Sequence, residues 1–384
     1  MNPFRKLLER LFPPPYQPLP AGIHHYQSAP EAGFPYRLHL RLENNGEGVL
    51  IVNASTVLHL NQTAAEMAYH LVKQTPPEEA VRQIAGRYRV SRQQIAQDFE
   101  SLKQRLETLI STPDLDPVTY LGFERHEPYS QLTAPYRLDC ALTYRTPSAP
   151  SIHDTLQKRV KRELVTEEWQ TILSKGWQAG IPHIIFTGGE PTLRPDLIDL
   201  VAYAESLGQV TGLLTDGSRL TEKDYLHHLL QSGLDHMMII LDPSEEQGWE
   251  AIRDTLAEDI FLTVHLTLTP REKEKIAEYI KKLAKMGVQS LSISASDPDL
   301  KSELNLARQI AADQGMSLVW DLPVPYSGTN PIALELEESG ETPQGAGHAW
   351  LYVEPDGDVL PGQGMQKVLG NLLTDDWEKI WSSR

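Results

Sequence analysis

The chain is nearly without cysteine: Cys140 is the only one among 384 residues. That excludes an intramolecular disulfide and any site that draws several thiolates from this chain. Long hydrophobic runs are missing as well, and no apolar stretch approaches the roughly 20 residues that span a bilayer. The opening MNPFRKLLERLFPPP scatters its charges and has no apolar core ahead of its prolines, so no secretory signal is read there. A cytoplasmic protein is the expectation. Nor is there an excess of positive charge: 35 Lys and Arg stand against 52 Asp and Glu, a net −17. Residues 1–120 carry twelve of each sign, so the whole excess falls after residue 120. An acidic body of this kind repels a polyanion and argues against nucleic acid as a partner.

What is present describes an ordinary folded protein, 40% hydrophobic and 7% aromatic, long enough for two or three domains. Residues 1–30 read as an N-terminal arm. Its first dozen residues suit a short amphipathic helix, with Phe4, Leu7, Leu8, Leu11 and Phe12 on one side and Arg5, Lys6 and Arg10 elsewhere. Such a helix packs on its own protein or touches a membrane or partner, and PPPYQPLPAG stops it. Residues 31–112 read as strands followed by three helices, a winged-helix-like order. YRLHLRLE, GVLIVN and TVLHLN alternate as strands, the last two joined through Asn53–Ser55. Three capping-box patterns follow, Thr63-x-x-Glu66, Thr75-x-x-Glu78 and Ser91-x-x-Gln94. The Pro-rich residues 113–135 read as a linker.

From residue 136 to 322 strands and helices alternate. Strands are expected at Arg137–Thr143, His183–Thr187, Gly212–Thr215, His236–Leu241, Phe261–Leu268, Ser290–Ser294 and Ser317–Asp321. Amphipathic helices lie between them, among them Glu167–Ala179, Leu197–Leu207, Lys223–Ser232 and Glu272–Met286. This rhythm implies an α/β fold with a parallel sheet, closed as a partial or full barrel. Residues 323–384 return to hairpin grammar around Asp356-Gly357, and a last helix starts after Asp375 or Asp376.

In such a barrel chemistry sits where strands end. HIIFT runs into GGEPTLRPDL, where Gly188 and Gly189 would let a ligand approach the backbone, Glu190 would accept hydrogen bonds from an ammonium group and Pro191 fixes the turn. The same residues also suit a plain strand-to-helix turn. Thr215 and Asp216 end the next strand and Asp242 the one after, so three adjacent strand ends point to one pocket. The remaining candidates are weaker. His24–His25 in the Pro-rich arm and His227–His228 on a helix read as solvated pairs, and the second cannot easily chelate one metal because adjacent helical residues point about 100° apart. Cys140 shares a strand face with Leu138 and Leu142 and reads as a small buried hydrophobe. Arg82, Arg87, Arg89 and Arg92 would suit a DNA-binding winged helix, but the balanced charge around them weighs against it.

Taken together, ALTYR, IIFTGGEPTLRPDL, LLTDG and LDHMMIILD resemble the radical S-adenosylmethionine (radical SAM) superfamily. YVEPDGDVLPGQG with LGNL resembles its C-terminal SPASM extension, and GVLIVNASTVLHLNQTAAEMAYHL resembles PqqD-like peptide-recognition domains. The resemblance implies a radical SAM-type partial barrel over 136–322, a SPASM-like extension over 323–384 and a PqqD-like domain over 31–112. It implies that Gly188, Gly189, Glu190, Pro191, Thr215 and Asp216 form an S-adenosylmethionine pocket. It further implies that the edge strand Thr56, Val57, Leu58, His59 and Leu60 takes a leader or substrate peptide as an added strand. The family's cluster-binding CxxxCxxC falls on Thr146, Pro150 and His153, and the SPASM position after DVLP is Gly362. Proline offers no ligand atom and threonine a poor one, so no iron–sulfur cluster, and no other metal, is expected. S-adenosylmethionine stays open as a ligand, although Asp216 stands where the family often has Asn. The reading is a degenerate, non-catalytic component of a peptide-modification pathway. Two alternatives are an enzyme using the pocket for non-radical chemistry through Glu190, Asp216 and Asp242, and an assembly subunit that only docks to another protein.

Overall fold

In RLHLRL and TVLHL a leucine recurs at every second position, which gives each segment one apolar face when extended. Both form strands, in a computed structural model that describes residues 18–29, 33–88, 90–112, 115–123, 132–147, 160–319, 322–326 and 345–384. The chain divides into two units, residues 1–127 and 128–384.

In the first unit β1 (Gly22–Gln27), β2 (Arg37–Leu42), β3 (Gly48–Val52) and β4 (Thr56–Leu60) form an antiparallel sheet in that order. The β3–β4 turn is tight, with Asn53 and Ala54 at positive φ. Helices α1 (Gln62–Val72), α2 (Pro77–Arg87) and α3 (Arg92–Ser111) follow, then a short α4 (Pro117–Leu121). Leu40, Leu50, Ala68, Ile84, Ile95 and Phe99 meet in one core between the sheet and α1–α3.

Several expectations are corrected here. Residues 22–27, placed in an arm, form a sheet strand in which His24 is half-buried rather than solvated, while His25 stays exposed as expected. Burial, with Lys73 nearby, lowers the pKa of both. The cap of α1 is Asn61, whose side chain accepts from Ala64 N, not Thr63; Glu66 is instead buried against Arg87 at 3.1 Å. Pro76 precedes α2 with no side-chain cap, and Thr75 bonds His70 Nδ1 at 3.2 Å. Ser91 caps α3 as expected, accepting from Gln94 N. Within 113–135, expected to be a linker throughout, α4 starts on the Asp116 cap. Residues 1–12 and Arg89 lie outside the described residues. Among the described residues no helix is long and apolar enough to cross a membrane.

The second unit is built on a sheet of ten strands among the described residues, ordered β11-β10-β9-β8-β7-β6-β5-β12-β13-β14. β5 (Arg137–Thr143), β6 (His183–Gly188), β7 (Val210–Thr215), β8 (His236–Leu241), β9 (Phe261–Leu268), β10 (Ser290–Ala295) and β11 (Ser317–Val319) run parallel. The helices between them are α5 (Thr166–Gln178), α6 (Leu197–Leu207), α7 (Lys223–Gln231), α8 (Glu246–Leu256), α9 (Ile276–Met286) and α10 (Lys301–Asp313). This is the partial (β/α) barrel. The C-terminal β12 (Trp350–Val353), β13 (Asp358–Leu360) and β14 (Gly370–Asn371), followed by α11 (Trp377–Ser382), do not stand apart from it. β12 pairs parallel with β5 and carries the hairpin on as a continuation of the sheet.

Alternation then assigns the two faces. Leu138 touches α5 at Gly176 and Leu241 touches α8 at Gly248, so these residues, with Cys140 and Leu142, face the helices. Asp139, Ile185, Leu214, Met238, Ile240 and His265 fall on the concave face.

Candidate functional site

The carboxyl ends of β6–β9 surround a cleft of about 430 Å³. Gly189 and Glu190 border it from the end of β6, Asp216 from β7, Asp242 from β8 and Thr267 with Thr269 from β9. Ile240, Pro243, Pro325 and Tyr326 supply apolar wall, and Arg271 and Glu272 stand at the rim. The three strand ends singled out in the sequence thus meet in one cleft.

Glu190 is almost wholly buried, at 2% exposure, and both carboxyl oxygens are occupied by the chain itself. Oε1 accepts from Thr192 N at 2.9 Å, Thr192 Oγ1 at 2.5 Å and Thr215 Oγ1 at 2.8 Å. Oε2 accepts from Asp216 N at 2.6 Å. Glu190 therefore ties β6 to β7, where the sequence suggested an acceptor for a ligand ammonium. Burial, and after it the Asp216 charge, raise its pKa, and the hydrogen bonds from Asp216 N and from Thr192 Oγ1 and N offset only part of that rise. Asp216 is half-buried on the cleft side and accepts from Ser218 N at 2.8 Å. Asp242 is exposed and accepts from Ser244 N and Oγ at 2.9 and 2.6 Å. Pro191 and Thr215 are buried beneath, Pro191 opening the 3-10 turn Pro191–Leu193.

The paired glycines serve a neighbour within the chain. A Cβ on Gly188, which has φ +121°, would lie 2.3 Å from Thr143 O, and one on Gly189 would lie 2.4 Å from Arg145 O. The backbone leaving β5 is pressed against them, joined by Gly189 N to Thr143 O and Glu190 N to Arg145 O, both 2.8 Å. Thr146, the first cluster position of the family pattern, follows directly and lines the cleft. Pro150 and His153 lie outside the described residues.

Sequence reasoning missed a clasp around that segment. Thr143 Oγ1 donates to Glu163, and Arg145 Nε donates to Thr143 Oγ1 at 3.1 Å. Arg194, just after the Gly-Gly-Glu-Pro turn, donates to Leu142 O at 3.3 Å and Leu164 O at 3.1 Å while forking onto Asp196 at 2.9 and 2.7 Å. Both flanks of residues 148–159 are thereby fixed by protein groups. The sequence signal was there, in the Arg-x-Asp two residues past the proline-threonine pair, but it reads equally as a helix start.

Cys140 is fully buried on the helix-facing side of β5, away from the cleft, and burial pushes its thiol pKa far up. Iron–sulfur clusters are held mostly by cysteine thiolates. The donors this chain brings to the loop after β5 do not fit one.

Comparison with known proteins agrees with this architecture. The pattern of the Radical SAM superfamily matches residues 148–267, and that of coenzyme PQQ synthesis protein D (PqqD) matches residues 47–109. A PqqA peptide cyclase from Streptomyces rochei is 30% identical over 278 residues, covering 65% of this chain and 76% of that protein. Among solved structures, Streptococcus suis SuiB bound to S-adenosylmethionine superposes with a TM-score of 0.59 at 14% identity, over 93% of this chain and 88% of that one. SuiB bound to its precursor peptide SuiA gives 0.58 at 13%, over 89% and 86%. On the sequence kinship with the cyclase, and with a fold that SuiB shares, the chain belongs to the radical SAM superfamily and carries a PqqD domain ahead of its barrel.

Proposed function

We propose that this chain is a degenerate member of its superfamily, a peptide- or partner-binding component of a peptide-modification pathway that works without an iron–sulfur cluster. One observation carries the reading: the single cysteine of the chain is sealed in β5 on the face opposite the cleft. Without a cluster no electron reaches a bound sulfonium, so the reductive cleavage typical of the superfamily has no source. The clasp of Thr143, Arg145, Glu163 and Arg194 ties the two flanks of residues 148–159 to each other through side chains of this chain.

In this reading the first unit holds the peptide. Among the described residues β4 is the last strand of its sheet, beside β3, and an added strand along Thr56–Leu60 is where this reading seats the peptide. The name of the relative, a PqqA peptide cyclase, and the SuiB–SuiA complex support a peptide as the partner. The cleft of the second unit holds the part of the ligand that reaches it. Gly188, Gly189, Glu190, Pro191, Thr215 and Asp216 shape its floor, and Asp216 and Asp242 favour a cationic group. S-adenosylmethionine fits this cleft by size and charge, and when bound it supplies an electrophilic sulfonium. That supports the second reading, an enzyme using the pocket for polar chemistry. The protein is assigned to the cytoplasm on the sequence expectation above.

The test is anaerobic reconstitution with iron and sulfide, followed by metal analysis and an S-adenosylmethionine cleavage assay. Iron well below stoichiometric and no cleavage are expected. A stoichiometric cluster that cleaves S-adenosylmethionine overturns the proposal. Calorimetry with S-adenosylmethionine separates the two readings, since the polar-chemistry enzyme requires binding. Deleting residues 1–127 is expected to abolish capture of peptide partners; full retention points to a docking subunit instead.

A further inference from the structure

From Thr263 to the strand ends the concave residues of β9 and β10 are all polar, beyond the exposed Phe261 that opens β9. Pairing sets Thr263 beside Ser290, His265 beside Ser292 and Thr267 beside Ser294. Their side chains join across the strands: Thr263 Oγ1 lies 3.0 Å from Ser290 Oγ, and His265 Nδ1 lies 2.9 Å from Ser292 Oγ. His265 Nε2 lies 3.2 Å from Thr267 Oγ1 and 3.1 Å from Ser294 Oγ. At the middle of β6–β8 the same face carries the buried Ile185, Leu214 and Met238, with polar groups only nearer the strand ends, His183 and Thr187 on β6 and His236 on β8. A wall that only needed filling would continue that apolar packing at lower desolvation cost.

His265 is fully buried, and burial lowers its pKa to about 4, so the ring is neutral near pH 7. A neutral imidazole has one N–H and one lone pair, yet three hydroxyls surround this ring. If Nε2 carries the proton, it is shared between the oxygens of Thr267 and Ser294, and neither hydroxyl hydrogen is used by the ring. If Nε2 carries the lone pair, it accepts one of the two, and the other hydrogen is left over. Either tautomer leaves at least one O–H donor at the outer end of the ladder. Both residues there are half-buried, and Thr267 borders the cleft.

We infer that the β9–β10 wall reads an uncharged hydrogen-bonding group of the ligand, a hydroxyl or carboxamide, through Thr267 and Ser294, with His265 as their positioning residue. This rests on the proposal that the cleft receives part of a peptide. With Asp216 across the cleft, the ligand segment that fits carries a cationic group and a neutral polar side chain close together.

The test uses full-length protein and amidated tripeptides Lys-X-Gly, with X as Ser, Asn, Ala or Val, followed by NMR of the histidine rings. The Ser and Asn peptides are expected to bind about tenfold more tightly than Ala or Val and to shift the His265 nitrogen resonances. Thr267→Val with Ser294→Ala should erase that preference while leaving the Ala peptide unchanged. Ser294→Ala alone, the gentler variant, should reduce the preference if the pair perturbs folding. Binding without preference, or a preference that survives the double variant, overturns this inference and leaves the cleft's role standing. No binding by any peptide at millimolar concentration overturns both.

Discussion

Replacing Gly189 with Ala tests whether the Gly-Gly pair exists for a ligand or for the chain. The added Cβ would sit 2.4 Å from Arg145 O and 3.0 Å from both Thr146 Cγ2 and Tyr144 C. Two of these three atoms are backbone and cannot rotate away. The β5 exit must therefore retreat by about 1 Å to restore an ordinary contact, an overpacking adjustment worth roughly 1–3 kcal/mol. That retreat stretches the two 2.8 Å bonds from Gly189 N and Glu190 N to Thr143 O and Arg145 O. Each weakened buried bond adds about 1 kcal/mol. The expected loss is about 4 kcal/mol, a large share of the roughly 5–15 kcal/mol that stabilises a domain. Urea unfolding followed by tryptophan fluorescence reads it cleanly, because all seven tryptophans lie at or after residue 169, within the second unit. With a slope of about 2–3 kcal/mol per molar urea, the midpoint should fall by roughly 1.5–2 M. Gly86→Ala in α2, where a Cβ meets nothing within 4 Å, serves as the contrast and should stabilise its own unit by about 0.5–1 kcal/mol. If Gly189→Ala unfolds within about 0.5 kcal/mol of the parent and only loses ligand, the glycine is there for the ligand and the steric account is wrong.

Three further outcomes follow from buried groups and caps. His236 and His265 are both held near pKa 4 by burial, below the ordinary 6.5. Between those values the unfolded chain binds more protons than the native one, so stability present above pH 6.5 should fall as pH drops toward 4, by roughly 3 kcal/mol per histidine. His265→Gln should flatten part of that dependence in urea titrations at stepped pH, and an unchanged slope would contradict a neutral buried ring. Cys140 should resist iodoacetamide in the native protein and react only on unfolding, as mass spectrometry can follow; rapid native alkylation would put it outside the core. Asn61→Ala should cost about 1 kcal/mol and Thr63→Ala little, by hydrogen exchange in α1, and the reverse order would restore the Thr63 cap.

The barrel was legible because each strand is a short segment, apolar on at least one face and closed by a polar turn, and amphipathic helices recur between the strands. Leu197–Leu207 and His236–Leu241 were read to the residue. Strand β1 was not, since GIHHYQ sits among prolines and shows no alternation; what makes it a strand is its pairing with β2, from Gly22 against Leu42 to Gln27 against Arg37. The caps show the same limit. Thr63-x-x-Glu66 satisfies the pattern, yet Glu66 is needed inside the unit against Arg87, and Asn61 two residues earlier takes the cap. Long-range pairing is equally silent in the sequence: nothing in WLYV announces that Trp350 will lie beside Arg137 and extend the barrel's sheet.

The candidate site was legible in position more than in purpose. Gly189, Glu190 and Asp216 line one cleft, with Gly188 and Thr215 directly behind them in the chain, but most of their polar capacity is turned inward. Glu190 spends four hydrogen bonds on Thr192, Thr215 and Asp216, and the glycines admit the β5 exit. This geometry follows from packing: loosening any one member separates β5, β6 and β7 where three chain segments cross. The same packing gives the Gly-Gly-Glu-Pro turn a structural role whether or not a ligand is bound. The turn is part of the barrel's own closure, and the groups left to meet a ligand are the ones the motif does not name, Asp216 on one wall and the Thr267–Ser294 hydroxyls on the other.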